Sequence, residues 1–372
     1  MELIIEKDVL AKALQKVQSI VEKRTAMPIL SNVLLEASDG FLTVVATDLE
    51  VGMKSRYPAK VVNEGKITVS AKKLYEITRE LPDEKIKIST RQNDWIDISC
   101  GKAKFNIVGL SSDEFPSFPK VENSAFTKIN SSLLSKMIER TSYAICHDET
   151  KYNLNGIFFK TASEENGNIL RLVATDGHRL SVAEHTIETT QNEMLQKGII
   201  FPKKGILELK KLSDESDGEL LIGFADNSAF VKNEETIVVM RLVDGDFPDY
   251  TRVLPVGNNR EITLKRELFL HSLKRMAILS SEKFKGIKFE IQTGSVEISS
   301  NNPELGEASE ELEADYDGER LVTRFNARYL IDVLNVLTDE SITLQLRDEM
   351  SPAILKPASS DDFKSVIMPM RL

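Results

Sequence analysis

The stretch Ile5-Glu6-Lys7-Asp8-Val9-Leu10 returns twice along the chain, as Ile129-Asn130-Ser131-Ser132-Leu133-Leu134 and as Leu264-Lys265-Arg266-Glu267-Leu268-Phe269. The second and third copies begin 124 and 135 residues after the copy that precedes them, and one third of the 372 residues is 124. A repeat of this length is a whole domain, because solenoid units span only about 20 to 50 residues. The sequence therefore predicts three similar domains in one chain.

Other landmarks recur at similar spacing. Val44-Val45-Ala46-Thr47-Asp48 recurs as Leu172-Val173-Ala174-Thr175-Asp176, the segment from Leu110 to Pro116 recurs from Leu242 to Pro248, and Met240-Arg241-Leu242 recurs as Met370-Arg371-Leu372. We expect domains at residues 1–124, 125–257 and 258–372, with candidate linkers at 115–119 and 254–259. Like domains in one chain indicate a pseudo-symmetric arc, and such arcs close into rings when the rotation permits.

The composition is that of a globular protein, with 41% apolar and 28% charged residues. No apolar run approaches the roughly 18 residues of a membrane span, so we expect no membrane association. The first residues lack the arrangement of a signal peptide. Cys100 and Cys146 lie in different repeats without CxxC spacing. We therefore expect buried free thiols and a cytoplasmic location.

Each repeat contains two helix-like stretches among short alternating ones. The predicted helices run from Asp8 to about Lys23, Ala71 to Leu81, Ser131 to about Ile145, Lys203 to Leu212, Arg266 to about Leu279 and Asn326 to Leu337. Good N-caps are available at Asp8 and at Ser131 or Ser132. Residues 41–45, 85–89, 95–98 and 295–299 alternate as half-buried strands do. These patterns favour α+β domains with helices on one side of antiparallel sheets.

Positive charge is concentrated on the predicted helices. The six stretches, with the second repeat's second helix counted to residue 211, hold 16 Lys and Arg residues and eight Asp and Glu residues, although the whole chain carries a net charge of −10. Five of the six are net positive. Lysines populate any exposed helix, but this bias against an acidic background favours one basic layer. Such a layer suits a polyanion bound through phosphates, without base-specific contacts.

The chain lacks common catalytic and cofactor motifs. There is no GxxxxGK[ST], GxGxxG, HExxH or GxSxG sequence, and His147, His178, His185 and His271 lack metal-ligand spacing. We expect no cofactor, metal or catalytic residue. The one enzyme-like string, Asp176-Gly177-His178-Arg179, is interpreted in three ways: an acid–imidazole pair, a tight turn after a strand, or part of a binding pocket.

Several strings together resemble the β sliding clamp family of bacterial DNA polymerase III. They are Asn153-Leu154-Asn155-Gly156, Ala174-Thr175-Asp176-Gly177-His178-Arg179-Leu180, Phe247-Pro248-Asp249-Tyr250 with Arg252-Val253-Leu254-Pro255, Ile278-Leu279-Ser280-Ser281-Glu282-Lys283-Phe284 and Met368-Pro369-Met370-Arg371-Leu372. The likeness covers the whole chain in order. It implies a DNA clamp fold and a head-to-tail homodimer, in which six domains form a ring with helices lining the hole and sheets outside.

The resemblance also implies a function. The ring would encircle double-stranded DNA without sequence preference and tether the replicative polymerase, after a separate ATP-driven clamp loader has placed it there. Expected partners are the DNA polymerase III catalytic subunit, the clamp loader, and other polymerases and repair proteins that carry short linear motifs. Two other hypotheses are an enzyme that acts through Asp176 and His178, and a peptide-binding scaffold that does not encircle DNA.

The family binds partner peptides between its second and third domains. By motif position the lining would be Leu154, Thr175, Gly177, His178, Arg179, Leu180, Pro248, Arg252, Val253, Asn326, Tyr329, Met350, Pro352, Val366, Met368, Pro369, Met370 and Arg371. Its Leu, Val, Pro and Met side chains form an adaptable apolar surface for a peptide's Leu or Phe anchors. A carboxy-terminal edge strand and an interdomain core are the alternative interpretations of the same residues.

The family pattern supplies two further sets. Phe105 and Ile107 of one subunit would meet Ile278 and Leu279 of the other, although the same residues also suit an inward-facing strand and a core helix. The DNA-binding positions would be Arg24, Lys72, Lys73, Arg79, Lys151, Tyr152, Arg179, Lys203 and Lys204. Some members carry paired tyrosines where this chain has Tyr152-Asn153. Asp148 and Glu149 also make that loop acidic, so we expect DNA contacts from the helix lysines more than from this loop.

Overall fold

Short strands make up most of the secondary structure in the computed structural model, which describes residues 1–22, 27–119, 126–164, 167–188, 192–280 and 286–370. The strands are β1 (Glu2–Glu6), β2 (Asn32–Ser38), β3 (Phe41–Thr47), β4 (Val51–Pro58), β5 (Lys60–Asn63), β6 (Gly65–Ser70), β7 (Lys85–Thr90), β8 (Trp95–Cys100), β9 (Ala103–Leu110), β10 (Thr127–Asn130), β11 (Gly156–Glu164), β12 (Gly167–Thr175), β13 (Arg179–Ile187), β14 (Ile199–Pro202), β15 (Glu219–Ala225), β16 (Ser228–Lys232), β17 (Thr236–Arg241), β18 (Arg260–Lys265), β19 (Gly286–Gln292), β20 (Ser295–Asn302), β21 (Gly306–Glu313), β22 (Leu321–Asn326), β23 (Ser341–Leu346), β24 (Ala353–Pro357) and β25 (Phe363–Ile367). The helices are α1 (Lys7–Val17), α2 (Ala71–Glu80), α3 (Ser131–Ser142), α4 (Glu193–Lys197), α5 (Lys203–Glu215), α6 (Arg266–Ile278) and α7 (Ala327–Val336).

The chain divides into two compact units. Unit 1 comprises Met1–Ser131 and Leu207–Leu242, and unit 2 comprises Ser132–Ile206 and Val243–Leu372. The division falls inside the second repeat rather than between repeats. The cause is strand pairing: β17 of the second repeat pairs with β4 of the first, and β13 of the second pairs with β25 of the third. Each unit therefore contains half of the second repeat.

Unit 1 is built on one continuous sheet of 13 strands. Their order is β10-β15-β16-β17-β4-β3-β2-β6-β9-β8-β7-β1-β5. The junction between β6 and β9 is narrow, with only the pairs Thr68–Leu110 and Val69–Gly109. A Cβ at Gly109 would lie 2.4 Å from the Thr68 carbonyl oxygen, so the two strands reach this separation only with glycine there.

Unit 2 contains two sheets. The larger has eight strands in the order β14-β11-β12-β13-β25-β24-β23-β18, and the smaller has four in the order β21-β20-β19-β22. Helices α6 and α7 pack against each other and α6 also packs on β20 and β21. Phe269 of α6 meets Phe289 edge-on, and Phe289 in turn meets Phe325, so three fully buried rings form the core at this place.

The predicted helices are present, and the antiparallel sheets beside them confirm the α+β class. In α1 the buried residues are Leu10, Ala13, Leu14 and Val17, which is the predicted apolar stripe. The extent of α1 was predicted wrongly, because the helix ends at Val17. Ile20 and Val21 donate backbone hydrogen bonds to the Val17 carbonyl and bury their side chains in an irregular turn. The helix-like spacing of apolar residues therefore continues beyond the end of the helix itself.

Helix capping differs from the sequence-based expectation at α1. The helix begins at Lys7, directly after β1, and its N-cap residue Glu6 makes no side-chain cap. Asp8 lies in the first turn, where its charge favours the helix dipole without capping the chain end. By contrast, Ser70 caps α2 by accepting from the Lys73 N–H, and Asn326 caps α7 by accepting from the Arg328 N–H.

Both candidate linkers are packed segments rather than free connections. Phe115 is buried in an apolar cluster with Ile29, Leu30 and Val45. In the second segment the Asn258 side-chain amide donates to the carbonyl oxygens of Gln345 and Pro352, at 3.0 Å each. Nearby apolar and polar groups therefore hold both proline-containing segments in place.

The cysteine prediction is confirmed, since Cys100 and Cys146 are both buried and free. Among the described residues, none of the helices has the length and apolar character needed to cross a membrane.

A half-buried tyrosine, Tyr143, joins the second and third repeats within unit 2. Tyr143, directly after α3, places its hydroxyl 3.1 Å from Ser181 Oγ on β13 and 3.0 Å from Ser365 Oγ on β25. Nearby, Arg140 of α3 donates to Asp362 Oδ2 at 2.9 Å and lies over the Phe363 ring. Burial raises the pKa of Tyr143 to about 12, because the phenolate would lose its water.

This pKa predicts a specific loss of stability in alkali. Below pH 10 the Tyr143 hydroxyl is protonated in both folded and unfolded chains, so its contribution is fully present there. Between pH 10 and 12 mainly the unfolded chain releases the proton, so stability falls by up to about 3 kcal/mol, since each pKa unit corresponds to about 1.4 kcal/mol.

Tyr143→Phe keeps the ring and removes the titrating group. At pH 8 we expect this variant to be about 1 kcal/mol less stable than the unchanged protein, through lost hydrogen bonds. That difference should shrink and then reverse between pH 10 and 12 in urea unfolding followed at fixed protein concentration. A difference that stays constant over this range would contradict the buried, neutral phenol.

Candidate functional site

The turn between β12 and β13 is fixed by its own side chains. Asp176 Oδ1 accepts from the backbone N–H groups of His178 and Arg179, at 2.9 and 3.0 Å. Thr175 Oγ1 accepts from the Gly177 N–H and donates to the Arg179 carbonyl at 2.7 Å. Gly177 has φ of +91°, a backbone conformation that favours glycine. The turn interpretation of this string is therefore confirmed.

Arg179 is buried and fully engaged. Its guanidinium donates to Asp176 Oδ2 at 3.1 Å, to Asp332 Oδ2 at 2.7 Å and to the Tyr143 carbonyl at 2.6 Å. The same group lies 5.2 Å from the Tyr143 ring centroid and 4.6 Å from that of Tyr329. Only 8% of the residue is exposed. Arg179 therefore anchors α7 and the turn to one another, and it has little freedom to reach a phosphate.

The same contacts weaken the enzyme hypothesis. The Asp176 carboxylate is occupied by two backbone N–H groups and by Arg179. An acid–imidazole pair needs that carboxylate on the ring of His178, whereas the ring stacks near Tyr329, at a centroid distance of 6.5 Å. Burial raises the pKa of the Tyr329 hydroxyl, so this aromatic wall stays neutral at physiological pH.

The carboxy-terminal strand brings the methionines to this turn. β25 pairs with β13 through Arg179–Ile367, Leu180–Val366 and three further pairs. Directly after β25, the Met368 N–H donates to the His178 carbonyl at 3.1 Å. The Met370 N–H then donates to the Arg324 carbonyl of β22 at 2.8 Å. Residues 368–370 are half-buried, so they present part of their apolar side chains to solvent.

A buried apolar cluster supports the surface from below. It comprises Val173, Leu180, Val182, Tyr250, Ile354 and Val366, with Phe158, Phe247 and Leu254 packed against it. Phe158 and Phe247 stack in parallel with ring centroids 4.9 Å apart. The second and third repeats both contribute to this cluster. The interdomain-core interpretation is therefore correct for Leu180 and Val366, which are 2% and 1% exposed.

Val253 and Met350 are exposed apolar side chains, at 39% and 55% exposure, and are called the rim residues below. Each lies in a loop that an aspartate stabilises. Asp249 accepts from the Thr251 N–H and from Arg252 Nε, and Asp348 accepts from Ser351, from Arg347 and from the Met350 N–H. Hydrogen bonds from Ser351 and Arg347 hold the pKa of the Asp348 carboxyl well below its usual range.

The remaining predicted pocket residues lie on neighbouring segments. Leu154 is half-buried in a short 3₁₀ turn, Tyr152–Leu154, and its carbonyl accepts from the Cys146 N–H. The Asn326 side chain is used as the α7 cap, and the Pro352 carbonyl accepts from Asn258. Pro248 is exposed, and Arg371 lies outside the described residues. Thr175, Gly177, His178, Arg179, Leu180, Tyr329, Val366 and Met368 are the members that direct contacts or strand pairing bring together.

The predicted DNA-binding residues have several different environments. Lys72 and Lys73 are 73% and 67% exposed on the first turn of α2 and pair with Glu76, at 3.8 and 2.8 Å. Arg79 lies on the last turn of the same helix, near the Tyr75 ring.

The other members of this set lie elsewhere. Lys203 Nζ is 2.7 Å from His147 Nδ1 at the start of α5, where Lys204 is half-buried. Lys151 is exposed, as is Tyr152 at 60%. Arg24 lies outside the described residues.

The predicted interface residues lie near strand edges. Phe105 is 38% exposed on β9, whose residues 103–107 pair only with β8 among the described strands. An inward-facing strand position is therefore wrong for Phe105. Ile278 is 74% exposed at the end of α6, and Leu279 follows it half-buried. β21 is the end strand of the smaller sheet.

Sequence inspection missed three features. One is the pairing of Arg179 with Asp332, which lies 153 residues further along the chain. Another is the edge position of β21, whose sequence Gly-Glu-Ala-Ser-Glu-Glu-Leu-Glu is acidic. The third is Tyr143. The acidic character of β21 was visible beforehand, but nothing local identified the partners of Arg179 or Tyr143.

In the described part of the chain, His, Cys, Asp and Glu side chains form no group of three that could hold a metal ion.

Three family descriptions match the chain in order. They are the N-terminal domain of the DNA polymerase III beta subunit over residues 1–119, its central domain over 128–249 and its C-terminal domain over 251–371. Relatives described as beta sliding clamps include those of Pseudomonas putida, 38% identical, and Escherichia coli K12, 34% identical, each aligned over 100% of both chains.

Solved structures agree with these relatives. A beta sliding clamp from Caulobacter crescentus superposes with a TM-score of 0.95 at 35% identity, covering 100% of this chain and 99% of that one. A Pseudomonas aeruginosa clamp bound to griselimycin superposes with a TM-score of 0.93 at 37% identity and covers 100% of both. With three clamp domains in sequence and fold, the chain belongs to the DNA polymerase III beta subunit family, the beta sliding clamps.

Proposed function

We propose that this protein acts without catalysis, as a closed head-to-tail homodimer that encircles duplex DNA and tethers the DNA polymerase III catalytic subunit. The full-length likeness to beta sliding clamps, domain by domain, is the observation that carries this proposal. A separate ATP-driven loader would place the ring on DNA. The three-domain division at 1–124, 125–257 and 258–372, the absence of a cofactor and a cytoplasmic location belong to the same proposal.

The subunit junction is proposed to form between β9 of one protomer and β21 of the other. β21 is the end strand of its sheet, and residues 103–107 of β9 pair only with β8 among the described strands, so both have backbone groups available to another strand. Phe105 and Ile107 would pack against Ile278 and Leu279. Lys102 and Lys104 would face the glutamates of β21, so opposite charges would set the register.

The DNA contacts are proposed to come from exposed helix and loop cations. Lys72 and Lys73 carry this proposal furthest, because their ion pairs with Glu76 are exposed and exposed pairs contribute little. Phosphates can therefore compete for both lysines. Arg79, Lys151, Tyr152, Lys203 and Lys204 remain in the set, and Arg24 remains through the resemblance alone. Arg179 is removed from it, because burial and three donated hydrogen bonds hold its guanidinium in place.

Partner peptides are proposed to bind on the surface around Met368–Met370, between the β12–β13 turn and the rim residues Val253 and Met350. A half-buried methionine segment over a rigid apolar cluster can adapt to different anchors without rebuilding its support. Arg179 acts here as a positioning residue beneath the surface. The loader, other polymerases and repair proteins would compete for the same surface through short motifs.

Phe105→Arg tests the junction. A charged side chain between Ile278 and Leu279 would lose its water, so we expect mostly monomers at micromolar concentration by sedimentation velocity. Val62→Arg is the matched control, because Val62 is 49% exposed on another edge strand, β5. Dimers that survive Phe105→Arg unchanged would refute the proposed junction.

Lys72→Glu combined with Lys73→Glu tests the DNA contacts. We expect shorter retention on nicked circular DNA after loading, and a slope of log affinity against log salt that is smaller by about two, since each phosphate contact contributes about 0.9. Lys85→Glu with Lys87→Glu makes the same charge change on β7, where both lysines pair with glutamates, and should have no effect. Retention that persists after the DNA is linearised would contradict encirclement itself.

Met368→Ala combined with Met370→Ala tests the peptide surface. A labelled peptide with Leu and Phe anchors should bind at least tenfold more weakly by fluorescence anisotropy, because burying an anchor contributes roughly 1.5 to 3 kcal/mol. Met27→Ala, at a methionine that is 47% exposed in unit 1, should leave affinity unchanged. The dimer should remain intact in both variants, and undiminished peptide affinity would exclude this surface.

A further inference from the structure

Unit 1 contains a cavity whose lining includes none of the residues proposed above for DNA, peptide or subunit contacts. Its volume is about 790 Å³, and it lies between α1, the second half of α5 and the seam where β4 pairs with β17. Ligand sites in proteins commonly measure about 300 to 1,000 Å³. The peptide surface described above belongs to unit 2, so this cavity is a separate feature of the chain.

The cavity has an apolar floor and polar walls. Met53, Leu212 and Thr236 are 4%, 2% and 3% exposed, and they contribute aliphatic groups from β4, α5 and β17. On the walls, Lys16 pairs with Glu215 at 2.6 Å, which joins α1 to α5. A lining of this kind suits a ligand that has an aliphatic body and a polar end.

One wall contains a carboxylate that is only half satisfied. Glu208 is 1% exposed and lines the cavity. Its Oε1 accepts from Lys211 Nζ at 2.9 Å, and Lys211 also donates to Ser19 Oγ at 2.8 Å. Glu208 Oε2 is buried and has no hydrogen-bond partner. A buried carboxylate oxygen without a hydrogen-bond donor destabilises the folded protein, so an additional N–H group that donates to Glu208 would be favourable.

We propose that this cavity binds a small amphipathic amine, with its nitrogen donating to Glu208 and its aliphatic chain lying between Met53 and Leu212. Glu208 Oε2 itself is buried, but the terminal torsion of a glutamate is broad, so a partial turn of the carboxylate can bring this oxygen to the cavity surface. The ligand is assigned a hydrogen-bond donor rather than an acceptor because of the ion pairs among the residues that line the cavity. Lys16 and Lys211 already have carboxylate partners, whereas Glu208 lacks a second donor. Lys12 also lines the cavity, but it is exposed, so water and salt screen its charge.

The inference goes beyond the proposed clamp function and is tested independently of DNA, loader and polymerase. The full-length protein, labelled with ¹³C at its methionine methyl groups, is titrated with n-hexylamine, n-hexanol or hexanoate and followed by methyl NMR. The Met53 methyl should shift in a saturable manner with hexylamine, with a millimolar dissociation constant. The Met27 and Met350 methyls, which lie on other surfaces, should not move.

Two variants identify the site. Ser19→Trp introduces a large ring from an exposed position on the cavity lining and should abolish the hexylamine shift. Glu208→Gln keeps the size of the side chain but removes its charge, and should weaken hexylamine at least tenfold while leaving hexanol unchanged. The unshifted methyl signals outside the cavity show that each variant is folded.

Other outcomes would overturn the proposal. A Met53 methyl that stays unchanged with all three probes would mean that the cavity does not bind amphipathic molecules. A larger shift with hexanoate than with hexylamine would show that exposed Lys12, rather than Glu208, selects the ligand, and equal shifts would show that neither charge selects it. A hexylamine shift that survives Ser19→Trp would place the binding site elsewhere.

Discussion

The pairing of β13 with β25 is the interaction on which the candidate peptide surface depends. Five consecutive residue pairs join strands that are more than 170 residues apart in the chain, from Arg179–Ile367 to Ala183–Phe363. Backbone groups in a buried sheet require partners, so this ladder determines where the carboxy-terminal segment runs after Ile367. It thereby places Met368 beside His178, and it allows Leu180, Val366 and Ile354 to share one core.

Unit 1 also joins two repeats by strand pairing, between β4 and β17. The side chains at these two junctions, or seams, differ. In unit 2, Tyr143 and Arg140 donate hydrogen bonds to Ser181, Ser365 and Asp362 at the seam. In unit 1, the seam has the buried hydroxyl pair of Ser55 and Thr236, and a cavity lies beside it. The same pattern of strand pairing therefore carries different side chains at the two seams.

Burial assigns different roles to residues of similar charge. Lys72 and Lys73 are exposed, so their pairs with Glu76 are screened by water and can exchange for phosphates. Arg179 is buried between two tyrosine rings and two aspartates, so the loss of one partner would leave an uncompensated charge. Exposed lysines that can exchange partners and a structural arginine thus follow from the same electrostatics at different exposure.

The sequence by itself determined the three repeats, the approximate positions of six helices and the α+β class, and it offered a turn as one of three interpretations of the string Asp176-Gly177-His178-Arg179. These are local properties, because periodicity, glycine conformation and repeated motifs act over a few residues or recur visibly. Only the tertiary structure decided that Arg179 pairs with Asp332, that Phe105 is exposed at a strand edge, and that Glu208 is buried with one free oxygen. Each of these depends on strands and helices from distant parts of the chain, and no local pattern encodes which distant residue will be the neighbour.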